Sequence, residues 1–253
     1  MTLVTEQPEG ILETLRRAEV EIVRQLFRPG MRVLEIGGGS GFQASIIAAW
    51  GCVVTSIDIA DRPPPRFQYY PVLGYDGTHI PYPDGSYDAV FSSNVLEHVK
   101  GLRILCADMR RVLAPDGVSI HYLPTPTWRF WTSVAHYPHL MRRVFGRLRG
   151  TRVADASTLD DGNCPRRSAT LLRTVIFPGP HGEYSSALAE LYYFRKRRWL
   201  NVLRESGLEV IQADVNGIFY TGYALLPGLT MRTRRLASRF LGSSCFVFVM
   251  RAK

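Results

Sequence analysis

Cysteine is scarce in this 253-residue chain, and Cys52, Cys106, Cys164 and Cys245 form no C-x-x-C element. That excludes a zinc ribbon and a thioredoxin-like redox centre. Cys52, Cys106 and Cys245 lie in apolar segments and are expected as core thiols of a reduced, cytosolic protein. Long apolar runs are missing as well: none approaches the roughly 18 residues of a membrane span. Glu6, Glu9 and Glu13 deny the opening residues the basic-then-apolar form of a signal peptide, so a cytoplasmic location is expected. Acidic residues are in deficit, 22 against 31 basic ones, which leaves a net charge of +9. Repeats and low-complexity stretches are absent, and the length suits a single domain.

What the chain does have is a glycine cluster at the end of an apolar run. Arg32 to Ile36 reads as a buried parallel strand, Gly37 to Gly41 follows, and Phe42 to Trp50 reads as a helix. A backbone that turns sharply against a ligand cannot carry a Cβ. A second strand, Cys52 to Ile57, ends in Asp58, whose carboxylate can accept hydrogen bonds from both hydroxyls of a ribose. Together these describe a nucleoside-containing cofactor lying across strand ends. A dinucleotide fingerprint needs G-x-G-x-x-G, yet from Gly37 and Gly39 the third position falls on Phe42, and the third glycine is Gly41. Glu35, just before the loop, would repel a pyrophosphate and suits a ligand carrying an ammonium and a sulfonium.

Downstream, Pro81, Pro83, Asp84 and Gly85 are turn residues, Asp88 to Ser92 is a short buried strand, and Leu105 to Leu113 is an amphipathic helix. Ala114-Pro115-Asp116-Gly117 then turns into a fifth strand, Val118 to Leu123. Val33 to Gly41, Asp58 and Tyr75 to Val99 resemble, in order and spacing, the motifs of class I S-adenosylmethionine-dependent methyltransferases of the small-molecule type. The resemblance covers about residues 30–123. It implies an α/β, Rossmann-like, doubly wound fold with a seven-stranded, mostly parallel sheet and an insertion after the fifth strand. It also implies S-adenosyl-L-methionine as cofactor, held by Glu35, Gly37, Gly39, Gly41, Asp58, Ile59, Asp76, Gly77, Ser93 and Asn94. Of these, Glu35 would serve the amino-acid end and Asp76 the adenine amino group. The family usually has a helix between the second and third strands; Arg62-Pro63-Pro64-Pro65 cannot be helix interior, so an extended link is expected.

The organisation that follows is a cofactor half over residues 10–123, opened by a cap helix from Gly10 to Phe27, then an acceptor cap over 124–190. The remainder, 191–253, reads as a helix from Leu191 to Ser206, a strand from Leu208 to Ala213 and a last strand from Ser244 to Arg251. The cap begins aromatic and ends basic. Trp128, Trp131, Val134, Met141, Phe145 and Leu148 can share one helical stripe, kinked at Pro138, with Trp128, Phe130 and Trp131 as an edge for insertion into an interface. Alternatively the helix is a lid packed on the domain, its arginines solvated.

Arginine crowds the second half, among it Arg142, Arg143, Arg147, Arg149, Arg152, Arg166, Arg167, Arg173, Arg195, Arg197, Arg198, Arg232, Arg234, Arg235 and Arg239. Such a field attracts an anionic partner. The acceptor expected is a glycan, a lipid-linked molecule or another amphipathic small molecule, methylated on oxygen, with peripheral contact to an anionic membrane at its inner face. RNA methylation is the competing enzyme reading; nucleic acid is less favoured because neither an N-P-P-Y element nor an RNA-binding module occurs. Intact glycines and aspartates disfavour a non-catalytic binding protein. A hydroxyl acceptor benefits from a nearby base, and the catalytic candidates are His98, after the fourth strand, and His181, in the cap. His136-x-x-His139 is too sparse to claim a metal, and none is expected.

Overall fold

The computed structural model describes residues 10–148, 178–223, 226 and 228–252. Cys164 and the arginines at 149, 152, 166, 167 and 173 lie outside the described residues. The strands are β1 (Arg32–Ile36), β2 (Val53–Ile59), β3 (Val72–Tyr75), β4 (Tyr87–Ser93), β5 (Leu113–Pro124), β6 (Glu209–Val215) and β7 (Cys245–Arg251). They form one sheet in the order β3-β2-β1-β4-β5-β7-β6, with β7 antiparallel to both its neighbours and every other pair parallel. Parallel strands covered on both faces read as continuous apolar runs, and Val33, Leu34 and Ile36 of β1 are fully buried. The helices are α1 (Ile11–Ile22), α2 (Phe42–Ala49), α3 (Leu102–Val112), α4 (Pro126–Leu148), α5 (Ala187–Tyr193), α6 (Lys196–Glu205) and α7 (Met231–Leu241). No helix among the described residues is long and apolar enough to cross a membrane.

Chain order reverses between β1 and β4, and a crevice opens outside the carboxyl ends of strands at such a switch point. The extended link from β2 to β3 carries no helix, as the prolines require. Cys52, Cys106 and Cys245 are free and buried.

Several boundaries differ from the sequence expectations. The helix expected over Leu191–Ser206 is two helices, α5 and α6, parted at Phe194 and Arg195. Phe194 turns wholly inward there and stacks on Trp199 at 5.8 Å, and Trp199 donates its indole N–H to the Pro124 carbonyl at 3.2 Å. The turn expected at Ala114–Gly117 is absorbed into β5, with Asp116 at φ +61° marking the irregularity. The cap helix stops at Ile22 and continues as a short 3-10 turn over Arg24–Leu26.

The largest correction concerns α4. It runs unbroken through Pro138, and Trp128 does not share the outward stripe of Val134, Met141 and Phe145. Trp128, Arg129, Thr132, Ala135, His136 and His139 are buried, whereas Phe130, Val134, Tyr137, Met141 and Phe145 are 43–58 % exposed. At 100° per residue these two sets lie on opposite sides of the helix. Trp128 therefore cannot be an inserted edge: its ring packs 4.6 Å from that of His181.

The inward polar groups are matched from above. Arg129 meets Glu190 of α5 at 3.0 Å with both side chains shielded, and donates to the Gly179 carbonyl at 2.7 Å. His136 Nδ1 lies 2.9 Å from the Tyr223 hydroxyl, and His139 stacks on the Tyr223 ring at 4.6 Å. Burial pushes the Glu190 carboxyl up and the Arg129 guanidinium down, so desolvation outweighs their attraction. Such a pair is costly to break rather than stabilising to own. Glu190→Ala should lower unfolding free energy in urea by about 3–5 kcal/mol, and Arg129→Met with Glu190→Gln, which keeps an acceptor for the His181 and Gly182 amides, should recover most of it. An unaltered Glu190→Ala transition would show that this pair does not fix α5 on α4.

Candidate functional site

The glycine loop leaves β1 at the switch point and is shaped by what presses on it. Gly37 and Gly38 donate their amides to the Ile57 carbonyl at 2.8 and 3.1 Å, which folds the loop over β2. Gly37 sits at φ +74°, and a Cβ there would lie 2.2 Å from a Val95 methyl in the turn after β4. Gly41, also at φ +74°, lies under the β2–β3 link, 2.5 Å from the Tyr70 carbonyl by the same measure. Only glycine fits these positions. Beneath the loop is Glu35, which takes a hydrogen bond from the Ser56 hydroxyl at 2.5 Å and one from the Ala44 amide in the first turn of α2. Burial pushes its carboxyl up to about 7.

Asp58 stands at the open edge of the loop. Its carboxylate accepts from the Gly39 amide (2.8 Å), the Ile59 amide (2.8 Å) and the Arg62 guanidinium (2.6 Å). Ile59 beside it is exposed, and one of its methyls lies 3.2 Å from where a Gly77 Cβ would stand. Asp76 caps the turn after β3, accepting from the Thr78 and His79 amides at 2.7 Å each and facing His79 Nδ1 at 2.9 Å. The His79 amide is the main reason its carboxyl is held down at about 2. Asp58, Ile59, Asp76 and Gly77 thus share one rim. An anionic strand end, an exposed apolar side chain and a loop bare of side chains match the ribose diol, adenine ring and close backbone approach that S-adenosylmethionine requires.

On the other side of the crevice, Ser93 ends β4 and Asn94 follows it at φ +56°, with its amide on the Tyr122 carbonyl at 3.0 Å. Ser93 Oγ lies 3.5 Å from both Arg16 and Glu19 of α1. The sequence reading missed this pair. Glu19 is fully buried and receives Arg16 (2.6 Å), the Tyr220 hydroxyl (2.7 Å) and the Asn216 amide (3.1 Å). Its partners come from both ends of the chain, so no local pattern reveals them. The one signal is register, since Glu19 falls four residues after buried Leu15, on the inner face of an amphipathic helix.

Past Asn94, a 3-10 turn over Leu96–His98 brings Glu97 and His98 against cap residues 180–183. Glu190 accepts the His181 and Gly182 amides at 2.6 Å each, and the Glu183 amide donates to the Glu97 carbonyl at 3.0 Å. Gly182 is pressed so closely that a Cβ would come within 2.4 Å of that carbonyl oxygen. The rings of His98 and His181 therefore stand 4.6 Å apart, centre to centre. The structure unites the two histidines that the sequence reading chose from separate regions.

Glu35 yields a pH prediction. Its folded value of about 7 exceeds the ordinary 4.5, so the stability it contributes is full below pH 4.5 and lost as pH rises through 7. The loss is on the order of 3 kcal/mol. Glu35→Gln cannot ionise; against the native chain its melting temperature should gain about 5 °C or more between pH 5 and pH 8. A pH-independent difference between the two melting curves would show that Glu35 is not buried as an acid.

Comparison with known proteins agrees with this geometry. A family model described as a methyltransferase domain matches residues 11–213. An uncharacterized methyltransferase of a Mycobacterium species is 31% identical over 150 residues, covering 54% of this chain and 53% of that protein. A demethylmenaquinone methyltransferase of the same strain is 33% identical over 127 residues, covering 47% and 53%. The chain thus spans about half the length of the curated relatives it matches. Among solved structures, a Burkholderia thailandensis 1,6-didemethyltoxoflavin-N1-methyltransferase with bound S-adenosylhomocysteine shares the fold. Its TM-score is 0.52 at 14% identity, covering 97% of this chain and 80% of that one. The glycine loop, the Asp58 rim and the strand order fit S-adenosylmethionine as cofactor, and the chain belongs to the class I S-adenosylmethionine-dependent methyltransferase family.

Proposed function

We propose that this methyltransferase methylates a hydroxyl of an amphipathic acceptor presented at an anionic lipid surface. The observation that carries this reading is the outward face of α4. Phe130, Val134, Tyr137, Met141 and Phe145 stand there in one row, while the helix hides Arg129, His136 and His139. Leaving apolar side chains in water while burying charge is unfavourable unless something covers the face. The charge of the neighbourhood selects the cover. On α7, Arg232, Arg235 and Arg239 lie beside exposed Leu236 and Phe240, and α7 joins α4 where the Trp131 indole donates to the Leu241 carbonyl at 3.0 Å. Basic and apolar groups side by side suit anionic headgroups over acyl chains. The name of one relative specifies demethylmenaquinone, which also supports an apolar acceptor.

S-adenosylmethionine supplies a methyl group on a positively charged sulfur, and displacement there depends first on in-line positioning. On this reading Asp58 holds the ribose, Ile59 and Gly77 flank the adenine with Asp76 at its amino group, and Gly37, Gly39 and Gly41 let the backbone approach. Ser93 and Asn94 face the methionine end. Glu35 stays below the loop and acts on the amino-acid end by fixing loop shape. His98 and His181 take up the hydroxyl proton, worth about 10²–10⁴ in rate.

Two measurements test the reading. Asp58→Ala removes charge-assisted bonds worth about 1.5–3 kcal/mol each, so calorimetric affinity for S-adenosylmethionine should fall at least tenfold; unchanged affinity would take Asp58 off the ribose. In co-sedimentation, the chain should bind phosphatidylglycerol vesicles and not phosphatidylcholine ones. Each arginine at the surface contributes about 1 kcal/mol and is weakened by salt. Met141→Glu with Phe145→Glu should cut that binding at least tenfold without altering circular dichroism, because both side chains already lie in solvent. Absence of vesicle binding overturns the surface reading and leaves the α4 face to a second copy or another part of the chain.

A further inference from the structure

We propose that Glu97, His98 and His181 bind one divalent transition-metal ion. The inference rests on the acceptor reading only for the ion's catalytic consequence: with the ion bound, His98 and His181 serve as its ligands instead of taking up the hydroxyl proton themselves. One donor atom from each of the three side chains lies within 4.8 Å of the other two. A second, independent observation is the state of Glu97. Its side chain is fully shielded, neither carboxylate oxygen has a hydrogen-bond partner among the described residues, and His181 Nε2 lies 3.8 Å from Oε1. A buried carboxylate without donors is strongly unfavourable, and a nearby cation removes that cost. Two imidazoles alongside it complete a donor set rather than a random acidic patch.

The donors also select the ion. Two imidazole nitrogens and one carboxylate suit Zn²⁺, Fe²⁺, Co²⁺ or Mn²⁺, whereas Mg²⁺ and Ca²⁺ prefer oxygen alone. Bonds of about 2.0–2.2 Å place donors around one ion about 3–4 Å apart, so binding draws the three side chains slightly together. Three protein ligands leave a coordination position open. Hydrogen bonds and ring packing hold the supports. Glu190 holds the backbone of His181 through two amides, Trp128 packs on the His181 ring, and the Glu97 carbonyl is bonded to the Glu183 amide. The cluster also lies directly beyond Val95, the residue pressed on the glycine loop, and so at the seam between the cofactor half and the cap. An acceptor hydroxyl at the open position would lose its proton more readily, as water does on zinc. The balance is simple: the proton leaves to solvent, the oxygen gains the methyl group, and the sulfonium loses its charge.

The test needs no acceptor. Untagged, chelator-treated protein is titrated with Zn²⁺ by calorimetry and with Co²⁺ by visible absorption, and its melting temperature is followed. One ion per chain is expected, with a raised melting temperature and a ligand-field spectrum showing nitrogen donors. Glu97→Gln, nearly isosteric, should weaken Zn²⁺ at least tenfold, and His98→Ala and His181→Ala each by a larger factor. S-adenosylmethionine affinity and circular dichroism should hold in all three, which separates ligand loss from misfolding. A native chain that binds neither ion, or variants that bind as the native chain does, overturns the metal site. Vesicle binding that persists in that case leaves the acceptor reading standing, because the α4 face contains none of these ligands.

Discussion

One buried carboxylate, Glu190, holds the upper half of this molecule together. Through one oxygen it takes two successive amides of the turn at His181 and Gly182; through the other it faces the guanidinium of Arg129. The placement of His181 beside His98 and the rotation of α4 about its own axis both depend on this anchor. Burial works against the ion pair, as the opposed displacements of the two groups' proton affinities show. What the pair provides is a single way to seat the cap on the sheet. A cap seated by apolar packing alone could slide; one seated by a desolvated pair leaves an unpaired charge if it moves.

The seat has a consequence on each side of α4. Inward, the helix must offer Arg129, His136 and His139 to their partners, so its polar groups are spent on the interior. Outward, what remains is a row of aromatic and aliphatic side chains. The helix thus turns polar groups toward Glu190 and Tyr223 and an apolar surface outward. The charged flank on α7 is continuous with the row through Trp131 and Leu241.

The cofactor half works by a different economy, in which backbone replaces side chains. Gly37 and Gly41 let the loop contact Val95 and Tyr70 at distances no other residue permits. Glu35 and Asp58 clamp the same loop from below and from its rim, Glu35 through Ser56 and α2, Asp58 through the Gly39 amide. The β2–β3 link, too rich in proline for a helix, crosses the loop, and Tyr69 and Tyr70 contact it. Departure from the usual family helix therefore changes what covers the loop while leaving the strand order intact.

The cofactor half was legible in the sequence because its signals are local. Glycines after a β-branched strand, a carboxylate at the next strand end and turn residues before Asp88 each act over a few residues, and the fold followed from the family resemblance that they carry. The break of the Leu191–Ser206 helix was not legible, since Phe194 is a fair helix former and leaves the helix only to stack on Trp199. The orientation of α4 was not legible either. Apolar periodicity leaves an outward edge and a packed lid both open for α4, and the distant residues Glu190 and Tyr223 decide that Trp128, Arg129 and His136 turn inward. Likewise Glu19 gathers Arg16, Asn216 and Tyr220, and Glu97 meets His181, across separations over which no sequence pattern carries information. The sequence by itself determined the fold and the family, through short-range backbone chemistry. Only the tertiary structure decided which face of the cap looks inward, because burial of a charge is settled by partners that folding alone brings near.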